Sequence, residues 1–462
     1  MSLEITEALI GRQSPEAQAI IRLLLAKIAE LDGRLSKSPQ NSSLPPSSRH
    51  PHAKPPTGKP KSKKQRGGQP GHKKHARPLL PSVECDDVQS LKPSECRRCG
   101  LRLAGCDSEP LRHQAWELPA IKPVVTEYRR HRLTCPGCGA ITCAPLPLGV
   151  SGSQAGPRLV ALTALLMGCF RQSKSRVALF LEQVLGQPCS TGWVVKLQNQ
   201  ATAAVRPAYD ELVAALPTEP IVGMDETPTK EANQKAWLWT AVAGKFTTFA
   251  VRPTREATAI TDFLGNSFAG VVTCDRAKMY WRAPRLQWCW AHLKRDFQAL
   301  IDGGGAKAKR LGHDLLRPVR DLFGLWARYR DGTLSRLGWK RLMHPIRGEI
   351  EALLLRGLFS GERRLVGMCR ELYDHRDWLW TFLDVEGVEP TNNASERALR
   401  HAVIWRKLSF GTQSATGSRF VETMLSVVET CRQQGRRVFD YLAQAIQARR
   451  AGKKTPSLIA GA

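Results

Sequence analysis

Two aspartates of this 462-residue sequence each end an apolar segment with the composition of a β-strand. Asp225 ends Ile221-Val-Gly-Met-Asp225, and Asp275 ends Gly270-Val-Val-Thr-Cys-Asp275. Two more strands and a short helix are predicted between them, so the strand before Asp275 should lie beside and parallel to the strand before Asp225. Both carboxylates would then meet at adjacent strand ends. Paired carboxylates there can bridge two divalent cations about 4 Å apart, an arrangement that serves phosphoryl transfer.

A third carboxylate is expected far downstream, at Glu396. The segment Glu389-Pro-Thr-Asn-Asn-Ala-Ser-Glu396 opens a predicted helix, and Asn393 is expected to cap it, which places Glu396 in the first turn. Arg397 and Arg400 follow on the same element, where they are predicted to hold phosphates. The alternative is an ordinary surface helix stabilised by ion pairs along its length. Glu389 is the competing candidate for the third ligand.

The formal net charge is +28, and much of it is concentrated in one stretch. Residues 33–83 contain twelve Lys and Arg, ten Pro and neither Asp nor Glu. This composition predicts a disordered arm that lies along nucleic-acid phosphates by counterion release, the alternative being a solvated linker. The residues of the arm predicted to contact DNA are Lys63, Lys64, Arg66, Lys73 and Lys74.

Four of the thirteen cysteines form two Cys-x-x-Cys pairs, each followed by glycine. The pairs are Cys96 with Cys99 and Cys135 with Cys138. Two such turns can surround one zinc ion with four thiolates, so the sequence predicts a zinc ribbon with one structural Zn²⁺. The alternative is four free thiols. Arg129 and Arg130 lie between the pairs and are predicted to contact DNA.

Cys289 and His292 lie three residues apart on one face of a predicted helix, shortly after the second aspartate. A metal ion needs more ligands than these two, so packing around the carboxylates is the favoured interpretation and an accessory metal site is the alternative.

The remaining segments are predicted to be largely helical. Ser14-Pro15 starts an N-terminal helix whose apolar residues recur every three or four positions, which favours self-association over simple packing. A helix-turn-helix-like segment follows the zinc ribbon, with Ser190 as a helix cap and Pro207 as an interruption. A long helical insertion with four tryptophans separates Asp275 from Glu396. These tryptophans are expected to be core, with stacking on a flipped base as the alternative.

The chain is therefore predicted to be a multidomain α/β protein. Its segments are an N-terminal helix at 1–40, a basic arm at 41–83, a zinc ribbon at 84–150, a helical DNA-binding segment at 151–217, a first core part at 218–300, a helical insertion at 301–386, a second core part at 387–430 and a basic C-terminal helix and tail at 431–462. The longest apolar run, residues 159–170, is too short to span a bilayer, and the N-terminus has no signal-peptide pattern. We expect no membrane partner and a cytoplasmic location.

The order of these motifs resembles the bacterial insertion-sequence transposases of the insertion sequence 66 family. The resemblance extends over nearly the whole chain. It rests on Asn41-Ser-Ser-Leu-Pro-Pro, Gln65-Arg-Gly-Gly-Gln-Pro-Gly-His72, the cysteine ribbon, Met224-Asp225-Glu-Thr227, the strand ending in Asp275, and Asn392-Asn-Ala-Ser-Glu396-Arg397.

The resemblance implies a DDE transposase with an RNase H-like core, in which Asp225, Asp275 and Glu396 bind two Mg²⁺. Such an enzyme cuts the ends of its element and joins the 3′-OH to target DNA. Its partners would be the terminal repeats, the target DNA, further copies of the chain, and accessory proteins of the same element. The alternatives are a DNA-binding repressor that has lost the chemistry and a metal-dependent nuclease without strand transfer.

Overall fold

The computed structural model of the protein describes residues 7–35 and 78–459. The candidate DNA contacts of the basic arm lie outside these residues: Lys63, Lys64, Arg66, Lys73 and Lys74. The chain divides into two compact units, one of residues 51–125 and one of residues 1–50 with 126–462. In the smaller unit, residues 78–125 are mostly irregular chain with a 3-10 turn at Ser82–Glu84.

The larger unit contains the regular secondary structure. In chain order its elements are α1 (Glu7–Gly11), α2 (Pro15–Leu35), β1 (Arg132–Thr134), β2 (Ile141–Cys143), α3 (Pro157–Gly168), α4 (Lys174–Leu185), α5 (Thr191–Ala215), β3 (Ile221–Glu231), β4 (Gln234–Val242), β5 (Thr247–Arg252), α6 (Thr258–Leu264), β6 (Val271–Cys274), β7 (Leu286–Trp288), α7 (Trp290–Gly303), α8 (Ala306–Arg330), α9 (Arg336–Leu358), α10 (Arg363–Asp374), α11 (Asp377–Asp384), α12 (Asn393–Ser409), α13 (Ala415–Gln433) and α14 (Val438–Arg450).

A five-stranded sheet with strand order β5-β4-β3-β6-β7 forms the centre of this unit. Strands β3, β4 and β5 are antiparallel, whereas β6 runs parallel to β3 and β7 runs parallel to β6. The prediction of three antiparallel strands, a connecting helix and a parallel fourth strand beside the first is therefore confirmed. The sequence does not predict β7, because three residues are too few to show a strand period.

Helix α13 covers the outer edge of the sheet at β5. Its side chains accept hydrogen bonds from backbone N–H groups of that edge strand. The bonds run from Thr247 N to Thr430 Oγ1 (3.1 Å), from Phe249 N to Ser426 Oγ (2.8 Å) and from Val251 N to Glu422 Oε1 (2.6 Å). Successive acceptors lie four residues apart, which places them on one face of the helix. The edge is thereby closed to pairing with another strand.

Helices α3, α4 and α5 form a bundle in the predicted helix-turn-helix segment. Ser190 caps α5 as predicted, because its Oγ accepts the N–H of Trp193 at 3.1 Å. The prediction that Pro207 interrupts this helix is wrong, since α5 is continuous from Thr191 to Ala215. Proline removes a single N–H donor there, and the buried side chains on either side of it keep both halves packed.

The C-terminal segment returns to this bundle. Arg450 Nη2 donates to the carbonyl of Ala155 at 2.8 Å, and Thr455 Oγ1 donates to the carbonyl of Ala204 at 3.0 Å. Leu458 is fully buried. The basic C-terminal helix is thus anchored against α3 and α5.

Helices α8 to α11 lie between the second aspartate and Glu396, in the segment predicted to be a helical insertion. Trp339 and Trp380 are fully buried, and Trp326 and Trp378 are half-buried. The expectation that these tryptophans are core is confirmed for the first pair. Among the residues described, none of the helices is both long enough and apolar enough to cross a bilayer.

Helix α2 begins at Pro15 as predicted, with the N–H of Ala17 donating to Ser14 Oγ at 3.3 Å. Leu24, Ile28 and Leu31 of its apolar stripe are 55%, 54% and 44% exposed. Exposed leucines and isoleucines at this spacing fit self-association, which stays a prediction.

Candidate active site

The two predicted aspartates lie at the end of the parallel strand pair. Asp225 belongs to β3, and Asp275 directly follows β6. Gly223 is paired with Thr273 in the parallel register. Both aspartates lie two positions further along the chain, so they lie beside each other where the pairing of β3 with β6 stops. The prediction that Asp225 ends its strand is wrong, because β3 continues to Glu231 as the antiparallel partner of β4.

The pKa of Asp225 is raised well above its ordinary value of 3.8. Burial is the largest cause, and the negative charges of Glu226, Asp275 and Glu396 add to it. The N–H of Glu226, which donates to Asp225 Oδ1 at 2.9 Å, opposes the shift. Glu389 is not among these main causes. A buried carboxylate surrounded by like charges is stabilised when a cation binds between them.

Asn392 fixes the start of α12, the helix that carries Glu396. Its side chain is 2% exposed, and its Nδ2 donates to the carbonyl of Met224 at 2.7 Å. Its Oδ1 accepts from Thr273 Oγ1 at 3.2 Å and from Ser395 Oγ at 2.8 Å. One amide therefore ties the helix to both strands that lead to the aspartates.

The prediction of Asn393 as the helix cap is wrong by one residue. The helix begins at Asn393, and Asn392 is its N-cap residue. The Asn392 side chain does not cap its own helix, because its amide is engaged with the sheet. Glu396 still lies in the first turn, with its N–H donating to the carbonyl of Asn392 at 3.2 Å.

Gly223 allows this close approach of helix and strand. A Cβ atom there would lie 2.4 Å from Ser395 Oγ and 3.1 Å from both Asn392 Oδ1 and Thr273 Oγ1. Only glycine leaves room for the start of α12 against the middle of β3.

The rest of α12 lies along the outer half of β3. Arg406 Nη1 donates to Thr227 Oγ1 at 3.0 Å, and beyond the helix the N–H of Thr412 donates to the carbonyl of Lys230 at 2.9 Å. The helix is thus held at both ends, and the position of Glu396 is determined by the backbone of β3.

Glu226, the acidic neighbour of Asp225, is tied to two other side chains. It forms an ion pair with Arg255, whose Nε donates to Glu226 Oε1 at 2.6 Å, and it accepts a hydrogen bond from the Tyr280 hydroxyl. Burial raises its pKa, as does the charge of Asp275, while Arg255 and Tyr280 oppose the shift. Its oxygens are already bonded, which makes it a poorer cation ligand than Asp225.

On its other side Glu396 contacts α7. His292 Nε2 lies 3.6 Å from Glu396 Oε1, and Arg295 Nη2 lies 3.8 Å from the same oxygen. Cys289, His292 and Glu396 each offer a ligand atom, and these atoms all lie within 4.8 Å of one another. The prediction that Cys289 lies on a face of this helix is wrong, because Cys289 is the N-cap residue of α7.

Each Cys-x-x-Cys pair forms the same tight turn. The bonds, all 2.9 Å, run from Cys96 N to Leu101 O, from Gly100 N to Cys96 O, from Cys135 N to Ala140 O and from Gly139 N to Cys135 O. Both glycines have a φ of 72°, in the left-handed region. The two turns belong to different compact units.

The first cysteine of each turn has a lowered pKa. For Cys96 the causes are the N–H groups of Arg98 and Cys99, and for Cys135 they are the N–H groups of Gly137 and Cys138. Backbone donors that point at sulfur stabilise thiolate, which is the form that binds zinc.

The predicted DNA contacts within the described chain lie on its surface. Arg397 and Arg400 are exposed on α12, as are Arg129 and Arg130 near β1. Arg129 pairs with a neighbouring glutamate at 3.4 Å, and Arg130 Nε donates to the carbonyl of Ala144 at 2.6 Å. The contacts of all four arginines with DNA stay predictions.

Sequence reasoning missed the residues that hold the carboxylates in place. Asn392 and Gly223 were visible only as parts of short motifs, and the roles of Arg255 and Tyr280 had no local signal. The one sequence signal was Gly223, because a glycine inside an apolar strand often indicates that another backbone or side chain approaches closely.

Comparison with known proteins identifies relatives. The family model described as "Transposase IS66 family" matches residues 152–419, and a model described as "Family of unknown function (DUF6444)" matches residues 4–78. The uncharacterized protein y4qI of Sinorhizobium fredii (strain NBRC 101917 / NGR234) is 24% identical over 250 residues, which cover 47% of this chain and 44% of that protein. The uncharacterized protein y4jO of the same organism is 28% identical over 159 residues, which cover 34% of this chain and 47% of that protein.

The chain thus spans less than half the length of either relative. The first family model covers more than half of this chain, from the helical bundle to the start of α13, and includes all three predicted carboxylates. The chain therefore belongs to the IS66 transposase family.

Proposed function

We propose that this protein is a DDE-type DNA transposase that cuts the ends of an insertion sequence and joins the released 3′-OH to target DNA. The observation that carries the proposal is the position of Asp225 beside Asp275 on neighbouring parallel strands. The pKa of the half-buried Asp225 is raised by desolvation and by the nearby charges of Glu226, Asp275 and Glu396. Three neighbouring carboxylates are a suitable donor set for a two-metal phosphoryl-transfer site.

The donor set fits magnesium. Mg²⁺ prefers carboxylate oxygens and keeps several waters, so three carboxylates suffice for two ions that also contact a substrate phosphate. Within the part of the chain that the structure describes, Glu396 Oε1 is buried and has no hydrogen-bond partner. In the same part of the chain, the oxygens of Asp225 and Asp275 each accept a local backbone N–H, from Glu226 and Ala277 at 2.9 Å. All three side chains have oxygens left to bind a cation.

When bound, the ions would activate the attacking hydroxyl and stabilise the departing oxygen. Asp225, Asp275 and Glu396 hold those ions, and Arg397 and Arg400 bind the flanking phosphates. Water first attacks the phosphodiester at the end of the element and releases a 3′-OH. That hydroxyl then attacks a phosphodiester of target DNA and displaces its 3′-oxygen, with no covalent bond to the protein at either step.

We also propose that the catalytic core is RNase H-like. The strand order, with three antiparallel strands followed by two parallel ones, supports this assignment. The helices α8 to α11 would be an insertion between the second aspartate and the glutamate. Cytoplasmic, nucleoid-associated action on terminal repeats and target DNA, self-association through α2, and accessory proteins of the same element belong to the same proposal.

A structural zinc ion is proposed for Cys96, Cys99, Cys135 and Cys138. The identical turns and the lowered pKa values of Cys96 and Cys135 support it. Replacing Cys99 with Ser should reduce bound zinc by one ion per chain and expose the other three thiols to alkylation. Native protein with all four thiols alkylated in the presence of zinc would contradict the site.

The proposal is tested by incubating the protein with labelled element ends, target DNA and Mg²⁺. Nicked ends together with joined products are expected. Nicking without joining would favour the metal-dependent nuclease, and end binding without either product would favour the catalytically inactive repressor.

A further inference from the structure

Three side chains with unlike ligand atoms converge between α7 and α12. A thiol, an imidazole and a carboxylate come from Cys289, His292 and Glu396, and their ligand atoms lie within 4.8 Å of one another. Cys289 is buried, and the other two are half-buried. Among the residues that the structure describes, this is the one cluster of three possible metal ligands of these types.

The spacing is close to that of a tetrahedral site. Around zinc, with bonds of about 2.0–2.3 Å, ligand atoms lie roughly 3.3–3.8 Å apart. His292 Nε2 and Glu396 Oε1 are already 3.6 Å apart. No pair of ligand atoms is more than 4.8 Å apart, so tetrahedral spacing requires a shift of about 1 Å at most.

Glu396 Oε1, a ligand atom of the cluster, has unused bonding capacity. It is buried and has no hydrogen-bond partner among the residues that the structure describes. The same holds for His292 Nδ1, whereas Nε2 is the ring nitrogen that lies 3.6 Å from Glu396 Oε1. Arg295 Nη2, 3.8 Å from Glu396 Oε1, is the cation already nearby, and it is too far away to form a hydrogen bond. Buried polar atoms without partners are uncommon, and a bound ion is one explanation of them.

The sulfur is held by the same residue that positions Glu396. The backbone N–H of Asn392 donates to Cys289 Sγ at 3.2 Å, and the N–H of Trp290 donates to the carbonyl of Pro390 at 2.9 Å. The start of α7 is thereby fixed against the start of α12. Such backbone donors to sulfur and a rigid frame orient ligands before an ion arrives.

We propose that Cys289, His292 and Glu396 form a binding site for a zinc-class transition-metal ion, with the fourth position open to water. Sulfur and nitrogen donors select such ions over Mg²⁺, which prefers oxygen alone. The ion binds Cys289 as thiolate, and the thiol proton is released to solvent.

This site shares Glu396 with the proposed magnesium site. A zinc-class ion would hold the carboxylate toward α7, so it would compete with the use of Glu396 beside Asp225 and Asp275. This second part rests on the proposed function. The cluster would then make transposition sensitive to the concentration of free zinc.

The binding itself is tested without DNA or Mg²⁺. Bound zinc per chain is measured in zinc-buffered solution for the full-length wild type, Cys289→Ser, His292→Ala, Glu396→Gln and the control Cys369→Ser, a buried cysteine of the helical insertion. Cys289→Ser and His292→Ala should each bind one zinc fewer than wild type or have an affinity lower by at least about ten-fold, while Cys369→Ser should match it. Cys96, Cys99, Cys135 and Cys138 are present in every variant, so any zinc that they bind cancels when the zinc content of a variant is subtracted from that of wild type.

Equal zinc content and affinity in all variants, with circular dichroism spectra like that of wild type, would overturn the site. If Cys289→Ser fails to fold, the same comparison is read from His292→Ala and Glu396→Gln.

The competition is tested by the ratio of nicking rates with and without added zinc for each variant. Wild type should be inhibited more strongly than His292→Ala. Equal inhibition of both would overturn the competition even when zinc binds. Wild type that nicks DNA with Mg²⁺ but binds no zinc at this cluster would contradict this inference and leave the proposed function intact. Wild type that binds zinc there but does not nick DNA would contradict the proposed function and leave the zinc site intact.

Discussion

Two acids packed at the central sheet, Glu422 at its β5 edge and Asp225 on β3, have opposite electrostatic surroundings. On the β5 edge Glu422 is 1% exposed, and its Oε1 accepts the N–H of Val251 at 2.6 Å and a hydrogen bond from Arg419 Nη2 at 2.9 Å. Beside the strand pair of β3 and β6, Asp225 accepts the N–H of its neighbour Glu226, and the negative charges of Glu226, Asp275 and Glu396 lie near it. Burial raises the pKa of both groups, but the neighbours of Glu422 lower it again and those of Asp225 raise it further.

This difference separates a structural acid, Glu422, from Asp225, the acid proposed to bind a metal ion. A structural carboxylate replaces a missing strand on the sheet edge, and its charge is matched by an arginine. Asp225, the carboxylate proposed to bind metal, accepts one backbone N–H and has negative charges nearby, so binding of a cation should stabilise it. Substitutions at the two sites should therefore have effects of opposite sign on stability.

The largest effect is expected from Gly223→Ala, which forces α12 away from β3. Its Cβ would meet Ser395 Oγ at 2.4 Å. Overpacking of this kind destabilises by about 1–3 kcal/mol. A displacement of Glu396 by about 1 Å should reduce nicking about 100-fold. The measurements are the nicking rate and the thermal unfolding midpoint, with Gly324→Ala in α8, where the new Cβ meets open space, as the control. Normal nicking by Gly223→Ala would contradict the role of the close approach.

On the structural side, Glu422→Leu removes the acceptor of the Val251 N–H and the partner of Arg419. An unsatisfied buried donor should destabilise the protein by about 1–3 kcal/mol. Denaturant unfolding of the metal-free protein measures this loss, and Ser426→Ala, which removes the next acceptor along α13, should give a smaller one in the same direction. Unchanged stability of both variants would mean that the edge bonds contribute nothing.

At the functional side, Asp225→Asn should stabilise the metal-free protein at neutral pH. A folded-state pKa above the unfolded value means that the folded chain binds the proton more tightly. The contribution of Asp225 to stability is therefore fully present below about pH 3.8 and is lost as pH rises through the higher folded pKa. Each unit of the pKa difference corresponds to about 1.4 kcal/mol.

Unfolding midpoints in a chelator, measured across pH, test this expectation. The advantage of Asp225→Asn should be largest at neutral pH and shrink toward acid, and Mg²⁺ should stabilise wild type more than the variant. A wild type that is more stable than Asp225→Asn at neutral pH without metal would show that the site is satisfied by the protein alone.

The strand pattern predicted the position of the aspartates because apolar alternation and crossover handedness are properties of short segments. Asp225, Asp275 and the parallel strand pair follow from about fifty consecutive residues. Glu396 could be predicted only as the best-placed acidic residue in the first turn of a helix. Asn392, which fixes the start of that helix, donates to a carbonyl 168 positions away in sequence.

The errors have the same origin. Pro207 has a strong local tendency to end a helix, but buried neighbours on both sides maintain α5. Asn393 and Asn392 are equally good caps by type, and only the contact of Asn392 with β3 and β6 decides between them. In the sequence, Cys289 and His292 were only two of the ligands that a metal site needs. The third, Glu396, is brought beside them by the tertiary structure.

The central claim is that Glu396, held beside Asp225 by Asn392, is the third carboxylate of the catalytic site. The most direct test compares Glu396→Gln with Glu389→Gln in a Mg²⁺-dependent nicking assay on element ends, with DNA binding measured in parallel. Glu396→Gln should bind ends normally and lose nicking by more than about 100-fold, since each change removes one charge with little change in shape. Glu389→Gln should nick like wild type. Near-normal nicking by Glu396→Gln, together with loss of nicking in Glu389→Gln, would contradict the account.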